Sequence, residues 1–129
     1  MIVIDTSALM AIVLDDPQAG SCMSAIEPNR DLAISAGTLA EALVVAMRRG
    51  VGPAMEQLIA DLALETVPVT AAGAEHVAAA HATKWGRGIH RAALNFGDCF
   101  ASAYAKEYGC SLLFVGNDFA PTDLPAELP

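Results

Sequence analysis

The chain alternates short apolar segments with longer segments in which apolar residues recur at helical spacing. Residues 1–4 are apolar and mostly β-branched, which predicts a short buried strand, and residues 5–14 then begin and form a helix. Residues 32–34 are a second strand candidate, after which Ser35 is placed to cap a helix that ends near Arg49.

The same alternation continues along the rest of the chain. Further helices are predicted over 18–26, 54–64, 71–84 and 95–108, further strands over 66–69 and 112–115, and a loop over 85–90. Strands that alternate with helices are typical of a parallel sheet covered by helices on both faces. We therefore expect an α/β/α sandwich with a central, mainly parallel sheet, formed by one domain over residues 1–129.

Composition agrees with one domain that has a core of its own, because 54% of the 129 residues are hydrophobic. The longest uninterrupted apolar run covers residues 8–14, far short of the roughly 20 residues that a membrane-spanning helix needs. We expect a cytoplasmic protein with no membrane partner. Cys22, Cys99 and Cys110 form no C-x-x-C pair, which argues against a disulfide framework or a structural zinc site and indicates buried small side chains.

The formal net charge of −8 lowers the expectation of a nucleic-acid partner, because an acidic surface repels phosphate. A nuclease that binds divalent cations needs clustered carboxylates, however, and such a cluster makes the formal charge more negative than the charge of the metal-loaded protein. The positions of the acids therefore matter more than their sum.

Four carboxylates are predicted to lie where ligands collect in a parallel sheet, beyond the carboxyl ends of its strands. Asp5 ends the first strand, Glu41 lies in the helix after the second, Asp98 lies at a helix N-terminus, and Asp118 follows the last strong strand. Right-handed crossovers bring such strand ends together at one edge of the sheet. We expect the four acids to form one site.

Each acid taken singly also has an ordinary structural explanation. Asp5 and Asp98 are suited to cap or start a helix, Glu41 follows Thr38 at capping-box spacing, and Asp118 follows a glycine as a turn residue does. Four acids at one edge are harder to explain in this way, because like charges at close range destabilise a fold unless a cation neutralises them.

Oxygen ligands without cysteine or histidine favour Mg²⁺, with Mn²⁺ as a possible substitute. A phosphodiester substrate follows, because such ions bind a phosphate oxygen, lower the pKa of a water and stabilise the leaving oxygen. Thr6 and Ser7 are placed to hydrogen bond to a ligand carboxylate or to a water on the metal, although hydroxyls at helix starts are common for structural reasons.

The segments around these acids resemble the acidic motifs of the VapC toxins, a class of PIN-domain ribonucleases from bacterial type II toxin–antitoxin pairs. The matching segments are Ile4 to Leu9, Ile34 to Glu41, Leu94 to Cys99, and Leu113 to Phe119 followed by Thr122 to Leu124. The resemblance implies Mg²⁺-dependent RNA cleavage, a small antitoxin partner, and metal-binding and catalytic roles for Asp5, Glu41, Asp98 and Asp118. Asn117 stands where many relatives carry another acid, so a fifth charge is not counted on.

The basic residues give an RNA partner modest support. Lys84, Arg87 and Arg91 flank Trp85 and His90 in the predicted glycine-rich loop, a composition suited to phosphate contacts and base stacking and equally to a solvated loop.

A homodimer is expected as well, since the helices that begin near Gly37 and Ala54 carry apolar residues on more than one face. Two other functions stay open from the sequence. A phosphoryl-transfer or receiver-type regulatory domain also places acids at strand ends, but Ser7 stands where a phosphatase of the haloacid-dehalogenase type needs a second aspartate. An inactive PIN-like binding module is the other.

Overall fold

The computed structural model of the chain describes residues 1–28, 31–85, 96–116 and 126–128. Within these ranges five strands form one sheet in the order β3-β2-β1-β4-β5. Every neighbouring pair of strands is parallel. The strands are β1 (Ile2–Ile4), β2 (Leu32–Ser35), β3 (Glu65–Val67), β4 (Ser111–Leu113) and β5 (Ala126–Leu128).

Six α-helices and one π-helical segment connect the strands in the part of the chain that is described. They are α1 (Thr6–Val13), α2 (Ala19–Ile26), α3 (Ala36–Arg48), α4 (Gly52–Leu62), α5 (Ala71–Ala79), the π-helix (Ala80–Trp85) and α6 (Phe96–Tyr108). No helix among these residues is long and apolar enough to cross a membrane.

Alternate side chains of the central strands point into two separate cores. Val3 of β1 packs with residues of α5 and α6, whereas Ile2 and Ile4 pack with residues of α1 to α4. The same alternation divides Leu112 from Leu113 on β4. Helices therefore cover both faces of the sheet, which confirms the predicted α/β/α sandwich with a parallel sheet. The three cysteines are buried free thiols, as predicted.

Several element boundaries differ from the sequence prediction, most of them by one or two residues. The third strand ends at Val67 because Pro68 follows and has no N–H to donate to a sheet. The fourth ends at Leu113, two residues before the predicted end, and the N–H of Val115 donates instead to Ser7 Oγ. The helix that begins at Ala71 changes from α to π geometry at Ala80 rather than continuing as one α-helix.

Candidate active site

Asp5 lies at the carboxyl end of β1, in the centre of the sheet, and is only 2% exposed. It is the N-cap of α1: its Oδ2 atom accepts hydrogen bonds from the backbone N–H of Ser7 at 3.0 Å and from the Ser7 hydroxyl at 2.7 Å. Among the described residues none donates a hydrogen bond to the other carboxylate oxygen, Oδ1, although that atom is also buried. The capping role predicted for Asp5 is thus filled by one oxygen and leaves the second without a partner.

Burial changes the protonation of this carboxyl group. Loss of water raises the pKa of Asp5 from 3.8 to about 7, the hydrogen bonds from Ser7 oppose the rise, and the negative charges of Asp98 and Glu41 add to it. Asp98 and Glu41 therefore each lie near enough to Asp5 to interact with it electrostatically, although they come from α6 and α3 and Asp5 follows β1.

Glu41 reaches this site from the second turn of α3. Its Oε1 atom accepts a hydrogen bond of 2.7 Å from the hydroxyl of Thr6, which also lies 3.4 Å from the carbonyl oxygen of Thr38. The capping-box explanation of Glu41 is wrong, because Ser35 caps α3 by accepting from the N–H of Gly37. Since the helix begins at Ala36, Thr38 is inside it and Glu41 lies too far along to cap.

Asp98 lies in the first turn of α6, where the helix dipole favours a negative charge. Its neighbour Gly97 packs directly against the carboxylate of Glu41, and a Cβ atom at that position would overlap the carboxylate. One turn further along, the ring of Phe100 occupies the space that a Cβ on Gly37 of α3 would need. The two glycines thus allow α6 and α3 to approach closely and bring their acids together.

Ser7 connects Asp5 to the next strand. Its hydroxyl donates to Asp5 and accepts the hydrogen bond from the N–H of Val115, just beyond the end of β4, at 3.0 Å. The chain then turns at Gly116, whose φ of +104° is a conformation that side chains rarely adopt. Asp118 and Asn117 follow this turn, and both lie outside the described residues, as do Arg87 and Arg91.

The described acids do not by themselves assemble a complete metal site. In the part of the chain that the structure covers, no group of three or more His, Cys, Asp or Glu side chains is close enough to hold an ion. What these residues provide is a buried carboxylate oxygen without a partner at Asp5, two nearby negative charges, and hydroxyls that fix the orientation of two carboxylates. A hard cation such as Mg²⁺ suits this all-oxygen arrangement.

Two contacts at the site were not predicted from the sequence. The packing of Gly97 on Glu41 joins residues far apart in the chain, and so does the bond from Val115 to Ser7. A glycine in the first turn of α6 is a weak signal for the first contact, because glycine disfavours helices and is retained where another group approaches closely. No local pattern signals the second.

Comparison with known proteins identifies the family. The sequence model of the PIN-domain family matches residues 2–124 of the chain. Ribonuclease VapC30 of Mycobacterium tuberculosis is 42% identical to it over 125 residues, which cover 95% of each chain. The chain belongs to the PIN-domain family of VapC ribonucleases.

Solved structures show the same fold as this VapC-family chain. VapC20 of Mycobacterium tuberculosis, described as a toxin that cleaves the sarcin–ricin loop, superposes with a TM-score of 0.77 at 18% identity, covering 99% of this chain and 98% of that one. A chain from a toxin–antitoxin complex of Klebsiella pneumoniae superposes with a TM-score of 0.69 at 17% identity, with the same coverage. At such low identities the agreement concerns the fold.

Proposed function

We propose that this VapC-family chain is a Mg²⁺-dependent endoribonuclease that cleaves RNA phosphodiester bonds and acts as the toxin of a toxin–antitoxin pair. The observation that carries the proposal is the buried, unpartnered Oδ1 atom of Asp5 beside the charges of Glu41 and Asp98. A buried carboxylate near like charges is costly unless a cation compensates it. The family's ribonuclease members support RNA as the substrate.

In this proposal Asp5, Glu41, Asp98 and Asp118 hold the ion, with Mn²⁺ as a substitute for Mg²⁺. When bound, the ion supplies positive charge for a phosphodiester oxygen and lowers the pKa of a water molecule. The chain's own hydroxyls determine how the acids are presented. Ser7 holds Oδ2 of Asp5 and leaves Oδ1 available, and Thr6 holds Oε1 of Glu41. Such fixed orientation favours ion binding, because the ligands do not have to be ordered when the ion arrives.

A cognate antitoxin is the proposed protein partner. The neighbouring toxin fold from Klebsiella pneumoniae was solved in a toxin–antitoxin complex, which supports the proposal by analogy. The acidic site is expected to attract an Arg or Lys side chain of the antitoxin, which would compete with the metal. Replacement of every basic residue in the docking segment should then abolish inhibition and make the complex less sensitive to salt. Inhibition that survives this replacement contradicts the mechanism.

We also propose that the toxin is a homodimer. Val44 and Met47 on α3 are 50% and 73% exposed, and an interface between two copies would cover them. Light scattering at micromolar concentration tests this, and a monomer there contradicts it.

The test of the function is RNA cleavage by the purified chain. Total bacterial RNA is incubated with the protein in Mg²⁺, in Mn²⁺ and in excess EDTA, and new 5′ ends are mapped by sequencing. We expect discrete cuts with either ion and none in EDTA. The matched control is Asp98→Asn, purified identically, which removes one charge at nearly constant volume. Cuts that persist in EDTA contradict metal dependence, and no cuts under any condition contradict the ribonuclease function.

A further inference from the structure

Phe96 is a large aromatic side chain that the fold leaves in solvent beside the acids. It is the first residue of α6, two positions before Asp98, and is 63% exposed. We propose that its ring is a stacking platform for the base of a nucleotide next to the cleaved bond in single-stranded RNA. This inference rests on the proposed ribonuclease function and adds to it a residue that binds substrate.

The Phe96 ring packs against a neighbouring aromatic side chain. It meets the ring of Phe100 edge to face, with centroids 5.0 Å apart and planes at 75°. Phe100 is itself fixed over Gly37 in the first turn of α3. A ring that packs on a neighbour at one edge and keeps most of its surface exposed is suited to stacking, because that contact reduces the conformational freedom lost when a base binds.

The location of the ring indicates which part of the RNA it would contact. Gly97, the next residue, touches the carboxylate of Glu41, so Phe96 is continuous with the candidate site. Side chains two residues apart on a helix do not face each other, so the Phe96 ring and the Asp98 carboxylate point to different sides of α6. The ring therefore lies next to the candidate site rather than among the acids. The position suits the base of a neighbouring nucleotide, whereas the phosphate would lie at the acids.

In the part of the chain that the structure describes, the basic side chains lie far from the acids. The Lys and Arg side chains that the structure covers are at helix ends: Arg48 and Arg49 at the end of α3, and Lys106 in the last turn of α6. Both helices begin near the acids, so these cations lie at the opposite edge of the sheet. Stacking needs no charge and tolerates any base sequence, so a ring next to an acidic site can add affinity for RNA.

Tyr108 is a matched control for this proposal. It lies at the other end of the same helix, is 59% exposed, and packs on Tyr104 with ring centroids 4.7 Å apart. Phe96→Ala, Phe96→Leu, Phe96→Trp and Tyr108→Ala are made in the Asp5→Asn chain for binding and in the unmutated chain for cleavage. The probe is an RNA that spans a mapped cut site, with a fluorescent purine analogue at the nucleotide beside the cut.

Phe96→Ala and Phe96→Leu should weaken RNA binding by about 10-fold and remove the fluorescence quenching that stacking causes, whereas Phe96→Trp should keep both. In the cleavage assay KM should rise while kcat changes little, because a stacked base is bound equally in the ground and transition states. Tyr108→Ala should match the parent. Thermal melts identify loss of fold, and Phe96→Leu retains apolar volume if Phe96→Ala unfolds.

Three results overturn the proposal. RNA binding by Phe96→Leu that equals the parent's shows that no base stacks on the ring. Equal losses at Phe96 and Tyr108 show a general effect of exposed aromatics. Unchanged RNA binding with weakened antitoxin binding shows that the ring is a protein contact. Failure of the unmutated chain to cleave any RNA is a separate result, which contradicts the proposed function itself.

Discussion

Acidic side chains gather at both ends of the sheet, and the two ends differ in burial. At the carboxyl end Asp5 is enclosed, and one of its oxygens lacks a partner among the described residues. At the amino end four exposed acids line an open groove beside Leu32: Glu27, Asp31, Asp61 and Glu65. One of these, Asp61, accepts a hydrogen bond of 2.8 Å from Gln57 on its own helix.

Hydration makes negative charge less costly on the exposed acids than on buried Asp5. Exposed acids keep their hydration and are screened by salt, so their mutual repulsion is small. Asp5 has lost its water, and compensation must come from a proton or a cation. Enclosure, and not the number of acids, therefore distinguishes a metal-site candidate from a solvated surface.

The largest expected effect separates the two ends by activity. Asp98→Asn should reduce RNA cleavage by at least about 100-fold, because loss of a metal-site charge removes stabilisation that exists only in the transition state. Asp61→Asn makes the same chemical change in the groove and should leave cleavage unaltered. Comparable cleavage rates for the two variants on the same RNA would contradict a functional difference between the two ends of the sheet.

The second effect concerns stability and pH in the absence of metal. The folded-state pKa of Asp5, about 7, exceeds its ordinary value of 3.8, so the folded protein holds this proton more tightly than the unfolded chain does. The proton on Asp5 therefore stabilises the fold by on the order of 2–4 kcal/mol below about pH 4. This stabilisation is lost as the pH rises towards 7. Urea denaturation of the parent and of Asp5→Asn across this range isolates it. The variant should gain relative stability as the pH rises, and a constant difference contradicts burial of the charge.

The third effect tests the close approach of α3 and α6. Gly97→Ala places a methyl group in the space of the Glu41 carboxylate, and should cost roughly 1–3 kcal/mol of stability and 10- to 100-fold in cleavage rate. Gly20→Ala is the control, since that position on α2 has open space and should gain about 0.5–1 kcal/mol. Full activity in folded Gly97→Ala would show that the position of Glu41 is unimportant.

The smallest effect is expected at Ser7, which joins Asp5 to the residues after β4. Ser7→Ala removes the hydroxyl that donates to Asp5 and leaves the N–H of Val115 without its acceptor. The free energy of unfolding, measured by chemical denaturation, should fall by about 1 kcal/mol. Ser24→Ala, at an exposed position on α2, should change stability by only a few tenths of a kcal/mol. Equal changes in stability for the two serine variants would show that the Ser7 hydroxyl does not support Asp5.

Much of the fold could be predicted from the sequence because its signals are local. Apolar strands alternating with helical segments gave the parallel sandwich, and Ser35 marked the beginning of α3. The rule that ligands collect at strand ends also selected Asp5, Glu41 and Asp98, which interact in the structure. The roles of these acids in metal binding remain predictions, as do those of Asp118, Asn117, Arg87 and Arg91.

The remaining features depend on contacts between distant residues. The spacing of Thr38 to Glu41 is compatible with a capping box in the sequence alone, and only the beginning of α3 at Ala36, directly after β2, excludes it. Likewise the end of β4 depends on Ser7, which lies more than a hundred residues earlier in the chain. Local sequence patterns do not predict contacts between residues so far apart in the chain.

Thermal melts of the parent and Asp5→Asn, with and without Mg²⁺, test the central claim most directly. Asn can keep the cap on α1 while removing the buried charge, so without metal the variant should be as stable as the parent or more stable. Mg²⁺ should raise the Tm of the parent, since it binds the folded state, and should raise that of Asp5→Asn less. Equal or absent Mg²⁺ shifts in the two proteins would show that Asp5 is a helix cap and not a metal ligand.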